Sequence, residues 1–132
     1  MFPAPALLNA ALPIDPDIKA ISKFAQLEFK FGSSERGRTI FESLLANYPQ
    51  RTDLWSMFID TEMAHLGSRG NGSGGLSPIR ALFDRVISLK LSAKKVQSFF
   101  KKYLAFEKEH GSPETVEVVR QKAREYIEAH AV

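Results

Sequence analysis

Cysteine is absent from this chain of 132 residues. That excludes disulfides, thiolate metal sites and cysteine nucleophiles, and fits a reducing compartment. Long apolar runs are also missing. None reaches the roughly 18 residues needed to span a bilayer, so no membrane partner is expected. The opening MFPAPALLNAALPI is apolar but has no positive n-region. Pro3, Pro5 and Pro13 interrupt any helical h-region, so it does not read as a signal peptide. Residues 1–14 are expected to be an irregular lead-in, either the edge of a piece of a longer chain or an apolar arm on the first repeat. Histidine is scarce, with three copies, and no G-x-S-x-G motif occurs, so nucleophilic triads find no support.

What is present is helical pattern. Ile21, Phe24 and Glu28 recur as Trp55, Phe58 and Glu62, and again as Phe100, Tyr103 and Glu107. Each set is an apolar residue, an aromatic three on and a carboxylate four further on. Caps and breakers divide the chain into six helices in three antiparallel pairs. Asp15-Pro16 opens the first, whose stripe is Ile18, Ile21, Phe24, Ala25 and Leu27 as far as Phe31, and Gly32 closes it. Ser33 or Ser34 caps the second, which buries Ile40, Phe41, Leu44, Leu45 and Tyr48; Gly37 in its first half lets a neighbouring helix approach. Thr52 caps the third, with Leu54, Trp55, Phe58, Ile59 and Met63 inward. Gly67–Ser77, with five glycines and three serines, reads as a flexible loop. Ser77-Pro78 starts the fourth helix, with Ile79, Leu82, Phe83, Val86 and Ile87 inward. Ser92 caps the fifth, striped by Val96, Phe99, Phe100, Tyr103, Leu104 and Phe106. Ser112-Pro113 opens the sixth, with Val116, Val119, Ala123, Tyr126 and Ile127 inward. Glu28 and Glu62 lie 34 residues apart, Glu62 and Glu107 lie 45 apart, and the excess of 11 matches the glycine-rich stretch. A period near 34 belongs to helix–turn–helix solenoids, in which each pair buries its face only by stacking on the next.

Charge is lopsided. Between Pro78 and Lys108 lie Arg80, Arg85, Lys90, Lys94, Lys95, Lys101, Lys102 and Lys108, opposed only by Asp84 and Glu107, a net +6; the rest carries −3, so the whole is +3. This basic segment is the candidate RNA- or partner-binding patch. Its lysines alternate with Phe99, Phe100, Tyr103 and Phe106, a pattern that suits stacking on single strands. It equally suits a core with a snorkelling cationic rim. Lysines without arginine forks attract phosphate backbones without reading bases.

Other chemistry is weaker. Glu28, Glu62 and Glu107 sit one helix diameter apart in a stack, roughly 10 Å, too far for paired acid–base work. They read as structural ties. Glu62–His65 and Glu107–His110 have the E-x-x-H spacing of di-iron bundles, but those need a Glu from each of two further helices, and Phe31 stands where the first repeat would need a His. No metal or other cofactor is expected. Gly70–Gly75 lacks the preceding strand and following Lys-Ser/Thr of a phosphate loop, so no nucleotide or other small-molecule substrate is expected.

Arg38-Thr39-Ile40-Phe41-Glu42 and Arg80-Ala81-Leu82-Phe83-Asp84 resemble the second helix of HAT (half-a-TPR) repeats, and Trp55, Phe58 and Glu62 resemble the first. The sixth helix departs, with Ala123 or Arg120 where a Phe is expected; it reads as a terminal repeat whose Arg120, Lys122 and Arg124 suit a solvated face. Ile21–Gly32, Glu35–Trp55 and Phe99–Gly111 further resemble the C-terminal HAT region of the Rrp-five family of eukaryotic rRNA-biogenesis proteins, called programmed cell death protein eleven in animals. The resemblance covers about residues 18–128, and the glycine-rich stretch is longer than the family pattern. It implies an all-α, right-handed superhelix of three HAT repeats over residues 15–132, at about 15–50, 51–90 and 91–130. It also implies a C-terminal fragment of a nucleolar protein that carries OB-fold RNA-binding repeats upstream. The expected role is that of a non-catalytic scaffold for other ribosome-assembly proteins, with pre-rRNA as a further partner. The alternative is a direct, non-specific RNA-binding module built on residues 80–108. Phe24, Glu28, Phe41, Trp55, Phe58, Glu62, Phe83, Phe100, Tyr103 and Glu107 are then the repeat-packing residues.

Overall fold

The computed structural model describes residues 17–69 and 75–130, with backbone alone at 67–69. Among the described residues the six elements are all α-helices: α1 Ile18–Phe31, α2 Ser34–Asn47, α3 Thr52–Arg69, α4 Ser77–Ile87, α5 Ala93–His110 and α6 Pro113–His130. The lead-in 1–14 and the expected start at Asp15-Pro16 lie outside the described residues, as does Gly70–Gly74 of the expected loop. The cap of α1 is Asp17, whose carboxylate accepts from the Ala20 N–H at 3.0 Å. Ser33 and Ser92 cap α2 and α5 as expected, accepting from Arg36 N–H at 3.2 Å and Lys95 N–H at 3.4 Å. Ser112 and Thr115 cap α6 reciprocally: the Thr115 N–H donates to the Ser112 hydroxyl at 3.3 Å, and the Ser112 N–H to the Thr115 hydroxyl at 2.8 Å. This is a capping box with Thr in the place of Glu or Gln.

Three further boundaries differ from the sequence reading. Thr52, expected as the cap of α3, is its first helical residue, and the Arg51 carbonyl before it accepts from the Leu54 N–H at 3.1 Å. Helix α3 continues to Arg69, three residues into the stretch expected to be loop. Ser77 does not cap α4 with its side chain; Leu76 occupies that position, Ser77 is already helical, and Pro78 sits in the first turn.

The chain divides into two compact units, Met1–Thr61 and Glu62–Val132. In the first, α1 packs on α2 across the Gly32-Ser33 turn. The close approach expected at Gly37 is present: a Cβ there would lie 2.8 Å from the Ala25 carbonyl oxygen and against the Phe29 ring. The missing side chain at Gly37 makes room for the Ala25 backbone and the Phe29 ring, and the buried face of α1 is Ser22, Ala25 and Phe29. Phe29 leads into an aromatic file, 6.3 Å from Phe41, which stacks on Phe58 at 4.7 Å and 14°. Trp55 is buried and its indole N–H donates to the Pro49 carbonyl at 2.9 Å.

Phe24, assigned to repeat packing from the sequence, is 47% exposed, and Leu27 and Phe31 share that exposed side. The repeat explains why. The aromatic four residues before the recurring Glu packs on the Phe of the preceding second helix: Phe58 on Phe41, and Tyr103 on Phe83 at 4.6 Å. Among the described residues no helix precedes α1, so Phe24 has no such ring to meet.

In the second unit α5 packs on both α4 and α6. Ile79, Leu82, Phe83, Val86, Val96, Phe99, Tyr103, Phe106, Val116 and Val119 are buried. Phe100 and Leu104 are only half-buried, and Ile127, expected inward, is 59% exposed.

The tight α1–α2 approach yields a test. Gly37→Ala gains about 1 kcal/mol of helix propensity, but overpacking costs about 1–3 kcal/mol, and here the obstruction is backbone. The variant is expected to be less stable by about 1 kcal/mol or more. Urea unfolding followed by Trp55 fluorescence measures this as a lower midpoint at unchanged slope; a raised midpoint would contradict the geometry.

Candidate functional site

The basic segment lies within the second unit, and its eight cations separate by environment. Arg80 is engaged between helices. Its Nε and Nη2 donate to Glu107 Oε2 at 2.7 Å and Oε1 at 2.9 Å, a two-pronged pair between α4 and α5. Glu107 is only 2% exposed and the Arg80 side chain 34%. Asp84 is likewise engaged, accepting from the Tyr103 hydroxyl at 3.0 Å and from Lys122 Nζ at 2.7 Å. The Lys122 ammonium also lies 5.7 Å from the Tyr103 ring centroid. Both acids of the segment thus bind helices together.

These contacts set protonation. Burial pulls the Glu107 carboxyl upward, but the Arg80 fork, the Thr115 hydroxyl and the Lys122 charge outweigh it and hold the group below the usual carboxylate range. The same hydrogen bonds, opposed by burial, raise Arg80. Burial, and then the neighbouring Asp84 charge, push the Tyr103 phenol well above its ordinary value.

The recurring carboxylates are therefore ties, and glycine is part of the device. Glu28 accepts from the Ser33 N–H at 3.2 Å, four residues from Gly32, and lies 3.7 Å from Arg36. A Cβ at Gly32 or Gly111 would collide with the Glu28 or Glu107 carboxylate respectively. Neither glycine has a positive φ, so space rather than backbone freedom requires it. Glu62 is also buried.

Seven candidate cations remain. Lys90, Lys94, Lys95, Lys101 and Lys108 are exposed, as is Arg85, while Lys102 is half-buried. Helical geometry divides those on α5 into two rows. Lys94, Lys101 and Lys108, seven apart, follow one edge, and Lys95 and Lys102 another. Lys101 of the first row lines a groove of about 630 Å³ between α5 and α6, floored by Phe100, Leu104, Val119, Ala123, Tyr126 and Ile127. Phe100, read as repeat packing, forms part of that floor, 5.9 Å from Tyr126. No acidic residue lines the groove. Sequence reasoning counted Tyr126 and Ile127 as core, although the departure it noted on the sixth helix, with Ala123 or Arg120 in place of a Phe, was the signal that this face is left open.

The E-x-x-H histidines form no metal centre here. His110 packs on Phe106 at 5.1 Å, and among the described residues no cluster of three metal-capable side chains exists. No described helix is long and apolar enough to cross a membrane.

A family model described as the PRP39 N-terminal HAT repeat matches residues 18–127. The chain belongs to the HAT-repeat family. Among curated proteins it is 49% identical over 115 residues to the rRNA biogenesis protein RRP5 of Arabidopsis thaliana. It is 47% identical over 122 residues to rRNA biogenesis protein rrp5 of Schizosaccharomyces pombe, and 45% over 118 residues to the RRP5 homolog of Mus musculus. These matches cover 87, 92 and 89% of the chain and 6, 7 and 6% of the respective relatives. The chain therefore spans a small fraction of the length of the proteins it matches.

The Arg80–Glu107 pair should separate from the rest of the patch on mutation. Arg80→Ala leaves a buried carboxylate short of its partner; because Arg80 is partly exposed, the expected loss lies near the lower end of the range for such breaks, about 3 kcal/mol. Lys90→Ala should stay within about 0.5 kcal/mol. Glu107 is held below its unfolded value of about 4.5. Its contribution is therefore complete above that pH and disappears as pH falls through the lower, folded value. Glu107→Gln should be less stable at neutral pH and show a flatter acid limb. Thermal unfolding of the three variants across pH 2 to about 7 measures both.

Proposed function

We propose that this HAT-repeat domain is a non-catalytic binding scaffold for protein partners in ribosome biogenesis, acting during pre-rRNA processing and subunit assembly in the nucleus and nucleolus. The observation that carries the reading is the 45–49% identity, over nearly the whole chain, to proteins named for rRNA biogenesis. The architecture is compatible with it. The polar groups that converge on Glu107 and Asp84 hold helices together, and what remains at the surface is helical face and groove rather than a reaction chamber. Other ribosome-assembly proteins are the partners of this reading.

A second reading has its own observation. Lys94, Lys101 and Lys108 form a solvent-facing row suited to a phosphate backbone. In that case affinity for single-stranded RNA should fall with salt, at a slope of about −0.7 per phosphate contacted. Three contacts would give a slope of about −2.

The scaffold reading makes a separable prediction. A tagged copy of the chain should co-sediment with pre-ribosomal particles, and titration with a single-stranded and a structured RNA should give no binding even at about 50 mM salt. Reversing Lys94, Lys95, Lys101 and Lys102 to Glu should then leave RNA behaviour unchanged. Failure to co-sediment would sink the ribosome-assembly role. Salt-sensitive RNA binding lost on the reversals would establish the second reading instead.

A further inference from the structure

The groove between α5 and α6 sits where the repeat places an incoming helix. In the pair before it, Arg80, Phe83 and Asp84 of α4 receive α5: Arg80 binds Glu107, Phe83 stacks on Tyr103, and Asp84 accepts the Tyr103 hydroxyl. Gly32-Ser33 and Gly111-Ser112 align without a gap, which sets Arg120 of α6 at the position of Phe41 of α2 and puts Ala123 about one turn further on. Two features follow. A cation, Arg120, stands where a Phe ring would receive the incoming helix, and the small Ala123, with Arg124 beside it, leaves the floor hollow.

We infer that this groove is a docking site for an amphipathic helix of a partner protein carrying a bulky apolar anchor and two carboxylates one turn apart. The anchor fills the space above Ala123, between Phe100, Leu104 and Ile127. The carboxylates, one turn apart, face Arg120 and Arg124 of the lining. Length agrees. Lining residues run from Ala93 to Leu104 on α5 and from Val119 to His130 on α6, each about 16 Å at 1.5 Å per residue, the span of about three helical turns. Charge agrees too. Lys101, Arg120 and Arg124 line the groove without any acid. Glu117 beside them is shared between Arg124 at 2.6 Å and Arg120 at 3.8 Å, and the residues that line the groove remain cationic. A second copy of this chain is a poorer occupant. Its exposed stripe, Phe24, Leu27 and Phe31, lies on a helix with Lys19, Lys23 and Lys30 against Glu28 alone, basic meeting basic.

The inference rests on the scaffold reading but is tested separately. The probe is an 18-residue alanine-based helical peptide with Leu, Tyr and Leu on one face and Glu four residues apart beside them. A second peptide carries Lys at both Glu positions. Titrated into the full 132-residue chain, the Glu peptide should shift NMR signals of Phe100, Leu104, Tyr126 and Ile127 and bind at least tenfold tighter than the Lys peptide. Arg120→Glu with Arg124→Glu should abolish that preference. Ile127→Glu, a change at an exposed position, should weaken the Glu peptide at least tenfold at an unchanged melting temperature. Equal binding of both peptides, shifts mapping elsewhere, or no binding would overturn the inference. So would a concentration-dependent mass doubling blocked by Ile127→Glu, which would assign the groove to a second copy, or displacement of the Glu peptide by single-stranded RNA. Co-sedimentation with pre-ribosomal particles is read independently, so a failed peptide titration leaves the scaffold reading standing, and a failed co-sedimentation leaves the groove chemistry standing.

Discussion

A carboxylate buried at the end of a helix is costly unless its oxygens are answered, and in the second unit everything near Glu107 is arranged to answer them. Arg80 comes from α4, Thr115 from the first turn of α6, and Gly111 leaves the room that a side chain would take. One group thus specifies the register of three helices. The first unit uses the same plan more loosely. Glu28 reaches the Ser33 N–H, but its arginine lies 3.7 Å away and is largely exposed. There, the contact of Gly37 with Ala25 and the aromatic file of Phe29, Phe41 and Phe58 fix the helices.

This division explains why a segment with net +6 is not a uniform basic surface. Ties withdraw Arg80, and Asp84 is bound from outside the segment by Lys122. The lysines left at the surface are ordered by the 3.6-residue turn into rows, and one of them, Lys101, lines an apolar groove. Charge and apolar surface meet at that edge, which a count of charges along the chain does not reveal.

The carboxylate period, the helix count, the Ser33 and Ser92 caps and the close approach at Gly37 were all legible in the sequence, because each is local or repeats. The misreadings have a common origin in tertiary partners. Helix α1 offers two possible faces, Ile21–Phe24–Leu27–Phe31 and Ser22–Ala25–Phe29, and periodicity favours the bulkier one. Helix α2 selects the other, because the gap at Gly37 receives the Ala25 carbonyl and the Phe29 ring. Arg80 was counted as surface charge because its partner stands 27 residues away. Asp15 and Asp17 are equally good caps by type, and only the donated Ala20 N–H distinguishes Asp17. Ile127 looked like core because its spacing is correct, yet no described helix covers it.

The departure of the sixth helix from the repeat then acquires a physical meaning. Arg120 in place of a Phe removes a ring that a following helix would stack on, and the small Ala123 leaves the floor open. A helix resembling α5 would meet a cation and a hollow there, so the groove selects against another copy of the repeat's own first helix and in favour of acidic company. Its walls are held by the contacts already described: Lys122, one residue from Ala123, is fixed by Asp84 and lies over Tyr103. The polar network inside the unit thereby keeps α6 at a set distance from α5. That makes the groove pre-formed, and a pre-formed groove asks less ordering cost of whatever binds it.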